Sequence, residues 1–322
     1  MFPELTERVQ LELQRHNTDW AARWNLWCRY GGIPGCGLGQ IVDPPLRGWV
    51  ETFLPWREFA SSLRRLGRAF LPDPEWLPLI LQSEDPDAHC IKQNISPLSL
   101  LEFWQGLPKN FRGKLCFPPE ELLPFFCALA DPSRYGTAPE RYPEQIHTFQ
   151  RLLNSRTPTQ PIHLLDLGCG VALGSLELLE TARACGFNNA WLTGMTAQPL
   201  EAWMATQRKL PHDPPREKLF QTRFAGLQGT FLTGQVQKFH LPEKYNFIFC
   251  NGLAGGRFLQ YDADILAFLD CCWQHLAPCG YVLLANHFHE GCCRGVDRLL
   301  KLAQLNGWQK EGTWQNLLLI QS

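Results

Sequence analysis

The sequence predicts an α/β protein: a mostly parallel seven-stranded sheet closed by an antiparallel hairpin, with a helical region in front of it. Three observations predict it. From residue 162 onward, short apolar runs alternate with helical stretches, and strand-helix alternation builds a parallel sheet through right-handed crossovers. The last two strand-like stretches, Trp308 to Glu311 and Trp314 to Gln321, are separated only by a turn at Gly312, which is too little chain for a crossover helix. Before about residue 130 the chain is rich in Trp, Pro, Leu and Arg, shows helical periodicity and has almost no β-branched runs.

The elements follow in order. Helices are expected from Leu5 to Tyr30 and from Trp56 to Leu71, and the region is punctuated by Pro44-Pro45, Asp73-Pro74, Asp85-Pro86 and Pro118-Pro119, where proline removes a donor and disfavours helix before it. Residues 1–130 are read as a helical cap domain. Residues 131–161 are read as a hinge and linker containing a helix from Tyr142 to Leu153. Residues 162–322 form the sheet domain, with strands from Ile162 to Leu167, Ala190 to Met195, Thr230 to Thr233, Asn246 to Cys250 and Tyr281 to Asn286. Between them helices are expected from Ser175 to Cys185, Leu200 to Leu210, Ala263 to His275 and Val296 to Asn306.

Composition excludes several function classes. A chain of 322 residues, 45% hydrophobic, can bury two cores of about 150 residues each. Thirty basic against thirty-one acidic residues leave a net charge of -1, so no global field draws it to nucleic acid or an anionic membrane. No apolar run approaches the ~18 residues of a membrane span, and Met1, Phe2, Pro3, Glu4, Glu7 and Arg8 lack the basic-then-apolar pattern of a secretory signal. A cytoplasmic protein is expected. Thirteen cysteines, an odd number without C-x-x-C rhythm, then read as reduced, small buried apolar residues, as Cys127 does behind Phe125 and Phe126. No disulfide is assigned.

The stretch His163-Leu-Leu-Asp166-Leu-Gly168-Cys169-Gly170-Val-Ala-Leu-Gly174-Ser-Leu-Glu177 carries most of the chemistry. An apolar strand runs into a glycine-rich turn and then a helix, so the backbone can turn tightly beside a ligand while the helix start offers unpaired N–H groups. An anionic group or a ribose is expected there, and a plain tight turn is the competing reading. A dinucleotide fingerprint needs a third glycine where Leu173 stands, and an acid further on, where the chain offers Thr196. The similar-looking Gly35-Cys-Gly37-Leu-Gly39 lacks the strand-turn-helix context and reads as a loop.

Leu164-Leu-Asp-Leu-Gly-Cys-Gly170 resembles the first motif of class I S-adenosylmethionine-dependent methyltransferases. Gly194-Met-Thr-Ala-Gln-Pro-Leu-Glu-Ala-Trp203 resembles the second strand and helix of that family, Leu241 to Gly252 its fourth strand, and His275 to Leu284 the turn into its fifth. The resemblance covers about residues 160 to 322 and implies a Rossmann-like seven-stranded sheet with an antiparallel terminal hairpin. It implies S-adenosyl-L-methionine as cofactor, with Asp166, Gly168, Cys169, Gly170 and Gly174 at its methionine end. Thr196 and Gln198 would face the ribose, Gln235 and Val236 the adenine, and Asn251 and Gly252 the reactive methyl group. Two positions depart from the family's pattern: its acids after the second and third strands are Thr196 and Gln235 here. A carboxylate accepts hydroxyls more strongly than these groups do, and Gln198 and Glu201 are candidates to take its place. A catalytically inactive binding or scaffold protein on the same fold is the alternative. The hinge Arg134-Tyr-Gly-Thr-Ala-Pro-Glu-Arg-Tyr142 also resembles, distantly, the junction in chemotaxis-receptor methyltransferases.

Asn286-His287-Phe-His289-Glu290-Gly-Cys292-Cys293 holds side chains of metal-ligand type, yet their spacing is unlike a closed zinc site and no metal is assigned. His287 is the candidate general base, because imidazole titrates near neutrality and the residue follows the fifth strand. The tryptophans of the helical region read as core, and Arg64, Arg65 and Arg68 as a solvated helix face. The methyl acceptor is left as a small molecule or a protein carboxylate or hydroxyl.

Overall fold

The computed structural model describes residues 6–29, 56–71, 76–77, 107–111, 113–131, 139–254, 259, 261–286, 293–313 and 315–321. The Gly35 to Gly39 loop, the 132–138 part of the hinge and His287 to Cys292 lie outside them. The chain divides into two compact units, Met1–Gly136 with Leu210–Pro214, and Thr137–Lys209 with Pro215–Ser322.

In the first unit, α1 (Glu7–Arg29) packs on α2 (Trp56–Phe70), and a 3-10 turn at Pro119–Glu121 leads into α3 (Leu122–Ala130). Phe59, Leu63, Leu66 and Phe70 recur at helical spacing on α2 and are all buried. Trp20 meets Phe59 edge-on at 4.9 Å, and Cys127 is fully buried among apolar side chains. His16 sits in this core with Nε2 2.8 Å from the Leu115 carbonyl and Nδ1 2.7 Å from the Ser62 hydroxyl. A carbonyl can only accept, so Nε2 carries the proton and Nδ1 accepts from Ser62. Burial holds the ring neutral by lowering its pKa to about 4. The arginine stripe divides: Arg65 and Arg68 are exposed, but Arg64 is buried. The expectation of one solvated face fails there because Arg64 follows Ala60 and precedes Gly67 on the face of α2 turned to the core.

The second unit runs α4 (Pro143–Asn154), β1 (Ile162–Leu167), α5 (Leu173–Ala184), β2 (Ala190–Thr196), α6 (Pro199–Gln207), α7 (Pro214–Arg223), β3 (Thr230–Thr233), β4 (Tyr245–Asn251), α8 (Asp262–His275), β5 (Leu276–Ala285), α9 (Cys293–Leu305), β6 (Trp308–Thr313) and β7 (Asn316–Gln321). The sheet order is β3-β2-β1-β4-β5-β7-β6, with β7 antiparallel to both its neighbours. This is the Rossmann-like sheet with a reversed terminal hairpin that the sequence predicts. The chain leaves β1 toward β2 and β3, then returns to the other side of β1 for β4, so the order reverses between β1 and β4. Ligands of open α/β sheets bind outside the carboxyl ends of strands at such a point.

Three local expectations need correction. β5 begins at Leu276 rather than Tyr281, with a register shift against β4 between Tyr245 and Phe247 and a positive φ of 56° at Cys279, so a bulge carries the strand through the residues read as a turn. Gly312 is paired with Leu317 inside β6, and the chain reverses between Thr313 and Asn316. The glycine is required for close approach, since a Cβ at Gly312 would lie 2.1 Å from the Asn316 carbonyl oxygen. α7 was not expected, because it buries only Phe220 and so shows almost no apolar periodicity. No described helix is long and apolar enough to cross a membrane.

The helix read within the hinge, α4, packs on the sheet. Its Phe149 is fully buried and meets Phe247 and Phe249 edge-on at 4.9 and 5.0 Å. We predict that Phe149→Ala costs about 3–5 kcal/mol, read as a lower urea midpoint with unchanged slope for the unit that contains it.

Candidate active site at the carboxyl edge of the sheet

The site is built on the turn between β1 and α5. The N–H groups of Gly168 and Cys169 both donate to the Met195 carbonyl of β2, at 2.8 and 2.9 Å. Gly168 takes φ 82°, Gly170 φ 54° and Ala172 φ 69°, a left-handed alternation that glycine accommodates and that costs a little at Ala172. A Cβ at Gly170 would meet nothing within 4 Å, so the turn is open at that residue. Among the described residues no acceptor faces the N–H groups of Gly170, Val171, Leu173 or Gly174. Free donors at a helix start with its positive dipole end make an anion- or hydroxyl-binding edge.

Asp166, next to last in β1, is 6% exposed. Its Oδ2 accepts the Ser175 hydroxyl at 2.5 Å. Burial raises its pKa from 3.8 to about 6, against the opposing effect of that hydrogen bond. A buried carboxylate with so little compensation favours an incoming cation. Cys169 is buried, and burial together with the charges of Asp166 and Glu201 pushes its thiol well up. Its Sγ lies 3.1 Å from where a Cβ of Gly194 would stand, so Cys169 fills space against β2 as a neutral spacer.

At the end of β2, the Thr196 hydroxyl donates to the Glu201 carboxylate and accepts from the Gln198 backbone N–H at 3.2 Å. A carboxylate from the first turn of α6 therefore stands at the end of β2. Oε1 of Gln198 is buried with no hydrogen-bond partner, and so is Oδ1 of Asn286, which follows β5 and whose amide donates to the Ala254 carbonyl. Two orphaned oxygens on one edge of a sheet mark places for donors from a ligand.

The remaining expected residues are distributed unevenly. Gly252 takes φ 77° and donates its N–H to Ala285, while Leu253 beyond it covers Gly168, its Cδ1 standing 2.6 Å from where a Cβ would be. Asn251 is locked: its amide exchanges two 2.8 Å hydrogen bonds with Gln145 of α4, and its Oδ1 also accepts from Ala285 N–H at 3.1 Å. Val236 is buried in the core and Gln235 is exposed, its carbonyl accepting from Lys238. His287 lies outside the described residues. Gln145 was missed, although a signal existed: Gln145, Phe149 and Leu153 share the buried face of α4, and a lone amide in an apolar stripe needs a polar partner.

No protein family model and no curated protein matches the chain. Similar solved structures include a TehB-like SAM-dependent methyltransferase from Corynebacterium glutamicum, 17% identical at a TM-score of 0.37 over 53% of this chain and 84% of that one. The N-methyltransferase NodS from Bradyrhizobium japonicum, in complex with S-adenosyl-l-homocysteine, is 15% identical at a TM-score of 0.40 over 62% and 95%. The sugar N-methyltransferase KedS8 from Streptoalloteichus is 12% identical at 0.40 over 56% and 88%.

Because Asp166 holds its proton more tightly folded than unfolded, its contribution to stability is full below about pH 4 and is lost as pH rises through about 6. Above that the buried anion is a fixed cost of ~3 kcal/mol. Asp166→Asn is expected to melt at a higher temperature than the wild type at pH 7, with the difference closing as the pH of the scan is lowered toward 4.

Proposed function

We propose that this chain is an S-adenosylmethionine-dependent methyltransferase that acts on a small-molecule or protein carboxylate or hydroxyl. One observation carries the proposal: a buried carboxylate, Asp166, stands beside a glycine turn open at Gly170, where the N–H groups of Gly170, Val171, Leu173 and Gly174 have no acceptor among the described residues. That combination suits a ligand with a cationic centre and polar groups within one small molecule. The residues fit the cofactor in two further ways. Glu201, joined to the Thr196 hydroxyl, puts a carboxylate at the end of β2 for a ribose diol, and Oε1 of Gln198 beside it awaits a donor. The carboxylate lost from the strand end is thus replaced from α6, which favours a cofactor-binding chain over an inactive scaffold.

When bound, the cofactor supplies a methyl group on a sulfonium, ready for direct transfer to a nucleophile. The chain's own part is to hold and to exclude. Asp166 and the Gly170 to Gly174 backbone hold the amino-acid end, Thr196 and Glu201 the ribose, and Leu253 keeps water off the turn at Gly168. Val236, packed with Met195 in the core, backs the adenine side, and Gln235 is assigned to that side as well. At the end of β4 the Asn251 Oδ1 accepts from both Gln145 and Ala285, so its oxygen has no lone pair left to hold an amine N–H. This favours an oxygen acceptor. A carboxylate acceptor needs no base, whereas a hydroxyl is helped by one, and His287 is assigned that role. Selection of the acceptor is assigned to residues 1–130.

The test is calorimetric titration of S-adenosylhomocysteine into the full chain. Micromolar or tighter binding is expected, about 8 kcal/mol or more, abolished in Asp166→Ala and in Gly170→Arg. Glu201→Gln is expected to weaken it about tenfold, the loss of a charge-assisted contact. A folded protein that gives no heat at two temperatures would overturn the proposal in favour of the scaffold reading.

A further inference from the structure

Three hydrogen bonds fix the polarity of the Asn251 amide at the end of β4. The Ala285 N–H of β5 meets one arm of it at 3.1 Å. A backbone N–H can only donate, so that arm is Oδ1 and the other is Nδ2. Gln145 of α4 then has one matching orientation: its Nε2 donates to the Asn251 Oδ1 and its Oε1 accepts from the Asn251 Nδ2, both at 2.8 Å. Both lone pairs of Oδ1 are thereby used. Nδ2 carries two hydrogens, and the second has no acceptor among the described residues. Asn251 is thus left as a donor only. Gln145 is 1% exposed whereas Asn251 is half-buried, so the open side of the pair is the Asn251 side.

The place of this donor follows from the sheet. Asp166 of β1 is in register with Phe249 of β4, and register partners turn their side chains to one face. Asn251 is two residues further along β4 on that same face, as the contacts of α4 with Phe247, Phe249 and Asn251 also require. One strand spacing of about 5 Å and two residues of rise, about 7 Å, separate Asp166 and Asn251 along the main chain. That separation is short enough for one amino-acid group to meet both side chains at the carboxyl edge. We propose that the unshared N–H of Asn251 donates to the carboxylate of the ligand's amino-acid end, and that Gln145 is the positioning residue that holds the amide in that sense. The proposal rests on the cofactor reading above. It gives each charge of the amino-acid group its own partner, the ammonium going to Asp166 and the carboxylate to Asn251 together with the free N–H groups of the glycine turn. It also explains why a polar pair occupies the buried face of α4, where an apolar pair would pack without any need for matched hydrogen bonds. With leucine at position 145 only the Ala285 N–H would hold the Asn251 amide, which could then swing about a single contact.

The experiment titrates two nucleosides calorimetrically into the full chain: S-adenosylhomocysteine, and methylthioadenosine, which keeps the nucleoside and the sulfur but lacks the amino-acid group. Asn251→Ala should weaken S-adenosylhomocysteine binding about tenfold, the share of one charge-assisted hydrogen bond, and Gln145→Leu about fivefold. The double variant should bind no more weakly than Asn251→Ala, since Gln145 acts through Asn251. Affinity for methylthioadenosine should stay within about twofold of the wild type in all three, a split that loss of packing at α4 would not produce. A readout free of variants is the side-chain amide NMR spectrum of the isotope-labelled wild type. There S-adenosylhomocysteine should move the unshared Asn251 Nδ2 proton downfield, and methylthioadenosine should not. Equal weakening of both nucleosides in Gln145→Leu, additive losses in the double variant, or an unmoved Asn251 amide would each overturn this proposal, while binding lost in Asp166→Ala kept the cofactor reading intact. A wild type that binds neither nucleoside would remove both.

Discussion

The carbonyl oxygen of Met195 accepts hydrogen bonds from both Gly168 and Cys169, and the geometry of the site follows from that double contact. It welds the end of β2 to the turn that leaves β1, so the chain must climb away from the sheet within two residues. Only a left-handed residue can do this, and Gly168 takes φ 82°. With the first two donors of the turn consumed, those at Gly170, Val171, Leu173 and Gly174 are left without acceptors among the described residues. Cys169 is turned back against Gly194, where a larger residue would strike its sulfur and the Phe231 ring. The same weld sets the distance between Asp166 and the end of β2, where Thr196 and Glu201 stand. The carboxyl ends of β1 and β2 are therefore spaced by the sheet itself.

Electrostatics divides the two units. His16 in the first unit and Asp166 in the second are both buried, and burial drives both toward their neutral forms. For His16 that is a settled state: both ring nitrogens have partners, and neutrality costs nothing at working pH. Its depressed pKa makes the first unit lose stability as pH falls from about 6.5 to 4. For Asp166 the neutral form is reached only by taking up a proton, and the second unit gains stability over much of the same interval. A buried acid of this kind is a poor choice for stability and a good one for holding a cation, which is the usual mark of a site.

α4 joins the sheet's packing to the site. Its buried face presents Phe149 to Phe247 and Phe249 of β4, and one turn earlier presents Gln145 to Asn251 at the end of that strand. Aromatic contacts fix the depth of the helix, and the matched amides fix its register, because an amide pair tolerates far less displacement than an apolar contact.

The sequence by itself determined the architecture. Strand-helix alternation, the closely joined closing pair of strands and the Asp166 to Gly170 motif are local patterns of period and spacing, so β1, β2, β3 and β4 lie within a residue of where periodicity put them. It also marked Glu201 as a substitute acid, but could not choose between Glu201 and Gln198. Only the tertiary structure shows how the two are placed: the first turn of α6 brings Glu201 to the Thr196 hydroxyl and leaves the Gln198 oxygen without a partner among the described residues. The structure likewise turned Asn251 from a free pocket residue into the partner of Gln145, 106 residues away. Sequence records which groups can hydrogen-bond, and periodicity records which face they occupy. Which acceptor a donor meets across such a separation is settled when distant elements pack, and no local pattern carries it.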